Sequence, residues 1–279
     1  MEKKEYPNAV GRIYNSNMIW QDIQRIRSQA PLIHNITNYV VMNTTANALL
    51  AIGASPVMAH AVEEVDEMTG IARALVINIG TLSEPWVEAM IKAGKQAHRL
   101  NIPVVFDPVG SGSTQYRTAC AQKLVREIHP VIIRANASEI RSLLRPGLGA
   151  KGVDSRHSPD EVLEDARELS RIAGCVVSVS GAVDLIVEGE KVVRVANGHP
   201  LMAKVTGMGC TASALTGAFA AVNPAAFQAA AYAMAVMGIA GDMAAEHPVG
   251  PGSFQLNFLD TLYRLQSTDI DARRDIQGL

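Results

Sequence analysis

Apolar residues along this chain fall into short unbroken runs, separated by stretches where they recur every three or four positions. The runs at 74–80, 103–109, 131–135 and 175–180 read as buried strands, and 31–40 as a short strand opening into a polar turn. Residues 53–60 add a turn and a very short strand. Helical spacing predicts helices over about 18–29, where Met18, Ile19, Ile23 and Ile26 share a face, and over about 40–52, 62–71, 84–99 and 116–128. Asn17 or Ser16 suits the cap of the first, and Pro85 the first turn of the helix at 84. Asn136 opens a short helix, a surface loop covers 146–158, and a helix follows over about 159–172. The segments 183–187 and 192–195 flank Glu188-Gly-Glu-Lys191, which suits a hairpin turn. From Cys210 onward the pattern is nearly all helix, over about 209–221, 225–244 and 252–267. Residues 1–17 and 268–279 read as loose ends.

Continuous apolar strands alternating with helices predict a mainly parallel sheet covered on both faces. No repeat and no proline- or serine-rich linker divides the chain, so 1–279 reads as one domain.

Composition sharpens this. Apolar residues make up 48% and charged residues 19%, below the usual share of about 25% charged. That points to a large interior and to surface hidden between subunits. A net charge of −2 without a basic run argues against nucleic acid as a partner. Three widely spaced cysteines, Cys120, Cys175 and Cys210, form neither a disulfide framework nor a zinc motif, which favours the cytoplasm. The polar amino end lacks the core of a secretory signal. The most apolar segment, 225–245, is interrupted by Gln228, Gly238, Gly241 and Asp242, so it reads as a buried helix and not a membrane span.

Ligands of an open parallel sheet bind outside the carboxyl ends of its strands, and polar residues gather there. Asp107 closes one strand, Asn136 and Glu139 follow another, and Ser180-Gly181 closes a third. The stretch Lys204-Val-Thr-Gly-Met-Gly-Cys210 then runs into a small-residue helix. Glycines let a ligand approach the main chain, and a helix start leaves N–H groups unpaired at its positive pole. Such a turn is an anion cradle with Cys210 at its mouth. A packed turn holding a buried cysteine is the plainer reading. Asp107 and Glu139 together suit Mg²⁺, directly or through water, or act as helix caps. Arg134, ending an apolar strand, requires a nucleotide phosphate or a structural carboxylate. Asn35, Thr37 and Asn38 serve turn chemistry or face a substrate, and Met58 fills a core gap or lines a ligand.

Taken together, Asp107-Pro-Val with its glycine loop, Asn136-x-x-Glu139, the Ser180-Gly181 strand end and the glycine turn resemble the ribokinase superfamily. Within it, Cys210 at a position where most relatives carry aspartate resembles the hydroxyethylthiazole kinases. The blocks HNITNYVVMNTTANALLAIGASPVMAHA (34–61), RANASEI (134–140) and KVTGMGC (204–210) strengthen the likeness, which runs through about 18–265. The resemblance implies a three-layer, lidless α/β kinase. It implies transfer of phosphate from ATP to the primary alcohol of 4-methyl-5-(2-hydroxyethyl)thiazole, a thiamine salvage step, by a homotrimer with active sites between subunits. By position, Arg134 and Ser180 contact ATP, Met58 and Gly207 line the thiazole site, and Asn38 lies on the substrate loop. Asp107 and Glu139 handle Mg²⁺, and the amides of Gly207, Gly209 and their neighbours hold the moving phosphoryl group. Met208 departs from the pattern, standing where a smaller or hydroxylic residue such as threonine is expected. Cys210 becomes the base or the group that orients the acceptor hydroxyl. A helix start lowers a thiol pKa from its usual value of about 8.5, and phosphates raise it. A kinase of a hydroxymethylpyrimidine or pyridoxal-like alcohol, and a non-catalytic nucleotide-binding relative, remain the rival readings.

Overall fold

Short β-branched runs with both faces apolar are built to lie inside a sheet. In the computed structural model, which describes residues 15–145, 159–247 and 250–278, several of them join a sheet of nine strands. The strands are β1 (Leu32–Ile36), β2 (Ser55–Val57), β3 (Ala74–Asn78), β4 (Val104–Asp107), β5 (Ile132–Asn136), β6 (Val176–Ser180), β7 (Asp184–Glu188), β8 (Lys191–Val195) and β9 (Ile276–Gly278). The spatial order is β2-β1-β3-β4-β5-β6-β7-β8-β9. β1 to β6 run parallel, and β7, β8 and β9 add antiparallel strands at one side.

Alternation along each strand divides the core into two layers. Val76, Val105, Ile132 and Val176 pack toward α1 (Ser16–Gln29), α2 (Met42–Ile52), α8 (Met208–Val222), α9 (Ala226–Ala244) and α10 (Pro251–Arg264). Leu75, Ile77, Val104, Phe106 and Ile133 point the other way. They meet α3 (Val65–Ile71), α4 (Glu84–Arg99), α5 (Gln115–Ile128), α6 (Ala137–Leu144) and α7 (Pro159–Ala173). The expected three-layer architecture, helices on both faces of a mainly parallel sheet, is the one observed. α9 lies buried against β5 to β8 along nearly its whole length. No described helix is long and apolar enough to cross a membrane.

Boundaries move where caps intervene. α1 starts at Ser16, because the Asn15 side chain accepts from Asn17 N at 3.0 Å. α2 starts at Met42, after a turn in which Val41 N donates to Asn38 O at 3.2 Å. The carboxyl end corrects the expectation of a loose tail. Ser267–Arg273 forms α11, with Ile270 fully buried, and β9 pairs with the free edge of β8. Asn197 pins the join, donating to Arg273 O at 2.7 Å and accepting from Asp275 N at 2.8 Å. The tail's charged residues mask two apolar anchors, Ile270 and Ile276. The predicted loop at 146–158 and the lead-in up to residue 14 lie outside the described residues.

Candidate active site

Between β1 and β3 the strand order reverses direction, and the start of α8 comes to rest over the carboxyl ends of β1, β3 and β4. Gly207 is the residue before the first helical turn, with φ of 83°. That left-handed angle suits glycine, and an added Cβ would stand 2.7 Å from Val41 Cγ1. The Gly207 carbonyl accepts the first helical bond, from Thr211 N at 2.8 Å. With no side chain at that position to cap the helix, the N–H groups of Met208, Gly209 and Cys210 stay open at the positive pole.

Arg134 stands directly against these amides. A Cβ on Gly209 would lie 2.9 Å from Arg134 Nη1, so only a bare backbone lets the guanidinium this close. Arg134 is 8% exposed, and its Nε has no hydrogen-bond partner among the described residues. A buried, unpaired guanidinium N–H costs on the order of 1–3 kcal/mol or more. Beside open helix amides, that group fits a phosphate. Ser180 ends β6 one strand away, opposite Asn136 in register, with its Oγ 3.4 Å from Ala135 O.

Asp107 is 1% exposed, and its Oδ2 accepts from Asn78 Nδ2 at 2.8 Å and Ser213 Oγ at 2.6 Å. Burial pushes the carboxyl up to about 7 and Glu139 adds repulsion, against the pull of Arg134 and the two donors. Glu139 accepts from Gly110 N at 2.8 Å through Oε1 and from Asn136 N at 2.9 Å through Oε2. It completes a capping box with Asn136 and also ties the glycine loop after β4 to the start of α6. Both carboxylates therefore hold protein donors as well as facing the site. This oxygen-only pair, close enough for mutual repulsion, fits Mg²⁺ reached through water better than a direct cage.

Asn38, on the turn after β1, has its Nδ2 2.9 Å from Asn78 Oδ1 and 3.5 Å from Cys210 Sγ. The Cys210 thiol is pushed up to about 11, by burial first and by Asp107 second. This corrects the expectation that the helix start would lower it: the low dielectric and the nearby carboxylate outweigh the dipole. Met58 stands apart from this network, half-buried beyond β2, its carbonyl 3.4 Å from His60 Nδ1. Tyr39 and His60 both pack on Trp86, at ring separations of 4.8 and 4.6 Å, which ties the segment after Met58 to the turn carrying Asn38. Asn78 and Ser213 went unnoticed in the sequence. Asn78 was findable by the same signal that marked Asp107, a polar residue closing an apolar strand.

A mainly parallel sheet with helices on both faces and an uncapped helix start at its strand ends is an α/β architecture, and its structural neighbours place it in the ribokinase-like class. The Staphylococcus aureus pyridoxal kinase solved with pyridoxal shares the fold, with a TM-score of 0.63 at 15% identity over 89% of this chain and 97% of that one. Residues 23–268 match the Hydroxyethylthiazole kinase family. A protein named hydroxyethylthiazole kinase from Syntrophus aciditrophicus is 58% identical over 91% of this chain and 94% of its own. One from Oleidesulfovibrio alaskensis is 54% identical over 93% and 98% respectively. The solved structure of a hydroxyethylthiazole kinase from Pyrococcus horikoshii OT3 gives a TM-score of 0.87 at 42% identity, over 94% of this chain and 99% of that one. The chain belongs to the hydroxyethylthiazole kinase family.

Proposed function

We propose that this chain, working as a single kinase domain, transfers the terminal phosphoryl group of ATP to the primary alcohol of 4-methyl-5-(2-hydroxyethyl)thiazole, a step of thiamine salvage. Family membership supports the reaction, and the observation that carries the site is the open amide cradle at Met208–Cys210 beside the unpartnered Nε of Arg134. Phosphoryl transfer passes through a loose transition state, so alignment and charge stabilisation dominate. The amides of the turn receive the equatorial oxygens of the moving group, donors worth roughly 10²–10³ each in rate. Arg134 and Ser180 hold the nucleotide phosphates. Asp107 and Glu139 would hold Mg²⁺, which would supply neutralisation of phosphate charge.

Asn38 receives the acceptor hydroxyl, and Gly207 and Met58 border the ring. With its thiol held near 11, Cys210 stays protonated at neutral pH and orients the hydroxyl; it does not remove the proton. A loose transition state tolerates this, since the hydroxyl becomes acidic only late.

We place the enzyme in a homotrimer with active sites between subunits, in the cytoplasm. Tyr39, Val40, Leu50, Leu256 and Tyr263 are each more than half exposed, a large apolar surface for a lone chain, and three of them lie on the packed pair α2 and α10. The cysteines are free, as in a reducing compartment. The test is ADP release with the thiazole alcohol, a hydroxymethylpyrimidine and pyridoxal, with and without Mg²⁺. Turnover restricted to the thiazole and dependent on Mg²⁺ is expected. Preference for another alcohol, or tight ATP binding with no product, would overturn the assignment.

A further inference from the structure

Asn78 closes β3 and is 1% exposed. Three of its side-chain hydrogen bonds have directions that fix one another. Gly80 N–H can only donate, and it lies 2.9 Å from Asn78 Oδ1, so that atom is the carbonyl oxygen. The amide nitrogen then faces Asp107, donating to Oδ2 at 2.8 Å. Asn38 is oriented in the same way: its Oδ1 accepts from Val40 N at 3.1 Å, which turns its Nδ2 toward Asn78 Oδ1 at 2.9 Å. Ser213, one turn into α8, donates to the same Asp107 oxygen at 2.6 Å. Polarity therefore runs one way, from Asn38 through Asn78 to Asp107, across the carboxyl ends of three strands. Space is as constrained as direction. A Cβ on Gly80 would fall 2.4 Å from Asn38 Nδ2, so Asn38 lies clamped over bare backbone.

We propose that Asn78 is a positioning residue for phosphoryl transfer, setting the acceptor-side amide of Asn38 in register with the Asp107 carboxylate. This rests on the function proposed above. Asn38 is also within 3.5 Å of Cys210 Sγ, so its placement sets where a hydroxyl bound between the two stands relative to the amide cradle. Asn78 also hydrogen-bonds the Cys210 thiol through its side chain, so it holds both groups that border this hydroxyl. A shift of about 1 Å in such a constellation costs roughly 10² in rate. If Asn78 merely satisfied the Gly80 turn, its loss would lower stability and leave catalytic geometry alone.

The experiment compares Asn78→Ala, Asn78→Ser, Asn38→Ala and the Asn38→Ala/Asn78→Ala double variant in the full chain. It reads kcat, both KM values and calorimetric affinity for a non-hydrolysable ATP analogue. Expected are a kcat loss of roughly 10- to 100-fold in Asn78→Ala, analogue affinity within about twofold of the parent, and a double variant no slower than the worse single one. If Asn78→Ala does not fold, Asn78→Ser, too short to span both partners, gives the same reading. Parental kcat, losses that multiply in the double variant, or a loss that follows nucleotide affinity would overturn the proposal. A parent inactive on the thiazole alcohol but active on another refutes the substrate assignment alone, and the comparison then runs on that alcohol. A parent active on none refutes both.

Discussion

Replacing Asp107 with asparagine separates what the site needs from what the fold prefers. In the folded chain this carboxyl rises from 3.8 to about 7, chiefly through burial. Above pH 7 the folded state therefore carries a charge it disfavours. The unfolded chain ionises the same group freely. A displacement of that size corresponds to roughly 4 kcal/mol of lost stability at pH 8. The sign follows from proton uptake. Between about pH 4 and 7 the folded state binds a proton that the unfolded state releases, so this group stabilises the fold at low pH and withdraws that support as pH rises through 7. An asparagine accepts from both Asn78 and Ser213 through one oxygen, as Asp107 Oδ2 already does. Asp107→Asn should thus raise stability at pH 8 by roughly 2–4 kcal/mol, fall to about half that gain at pH 5, and lose most turnover. Denaturant melts of the nucleotide-free protein at pH 5 and pH 8, paired with ADP-release assays, provide the check. A variant less stable than the parent at pH 8, or a gain independent of pH, would refute the reasoning.

Other outcomes follow from the same geometry. Cys210→Ala should lose most of kcat with little change in ATP binding, and Cys210→Asp should keep appreciable turnover. Iodoacetamide should label Cys210 slowly at neutral pH and faster only as pH approaches about 11, which mass spectrometry would resolve. Gly209→Ala puts a Cβ 2.9 Å from Arg134 Nη1 and should raise the ATP KM roughly tenfold, with little effect on the thiazole KM. Met58→Asp should raise the thiazole KM far more than the ATP KM; equal effects in steady-state kinetics would remove Met58 from the acceptor pocket.

The sheet was legible because β3 to β6 are apolar on both faces along most of their length, and the helices between them keep a 3.6-residue stripe. The hairpin at 184–195 was equally visible, since Gly189 sits between two alternating runs. β9 was not, because three residues without a strong pattern become a strand only when β8 offers an unpaired edge. The site divides along similar lines. Asp107, Arg134 and the glycine turn announce themselves as polar or flexible positions where apolar packing is expected. The Asn38–Asn78–Asp107 connection cannot be seen in the sequence, because its members come from three separate strand ends and only the parallel register of β1, β3 and β4 brings them side by side. The direction of the Cys210 shift was equally hidden: the helix start is a local property, whereas burial and the Asp107 charge are tertiary ones.

On the function proposed above, the charge balance favours a nucleotide that arrives with its metal. Arg134 is the cation acting electrostatically on Asp107, Asp184 and Cys210, and burial also pushes Asp184 up to about 6. A bare triphosphate entering this space would gain Arg134 and the helix amides, yet it would meet Asp107 and Glu139 at close range. Mg²⁺ carried with the nucleotide would offset the second interaction by placing a cation near both carboxylates. On the function proposed above, the pull of such a cation would lower the Asp107 pKa from about 7. On this account the destabilised carboxylate is part of the binding device. The charge that burial disfavours at Asp107 would be offset by the proposed metal–nucleotide complex.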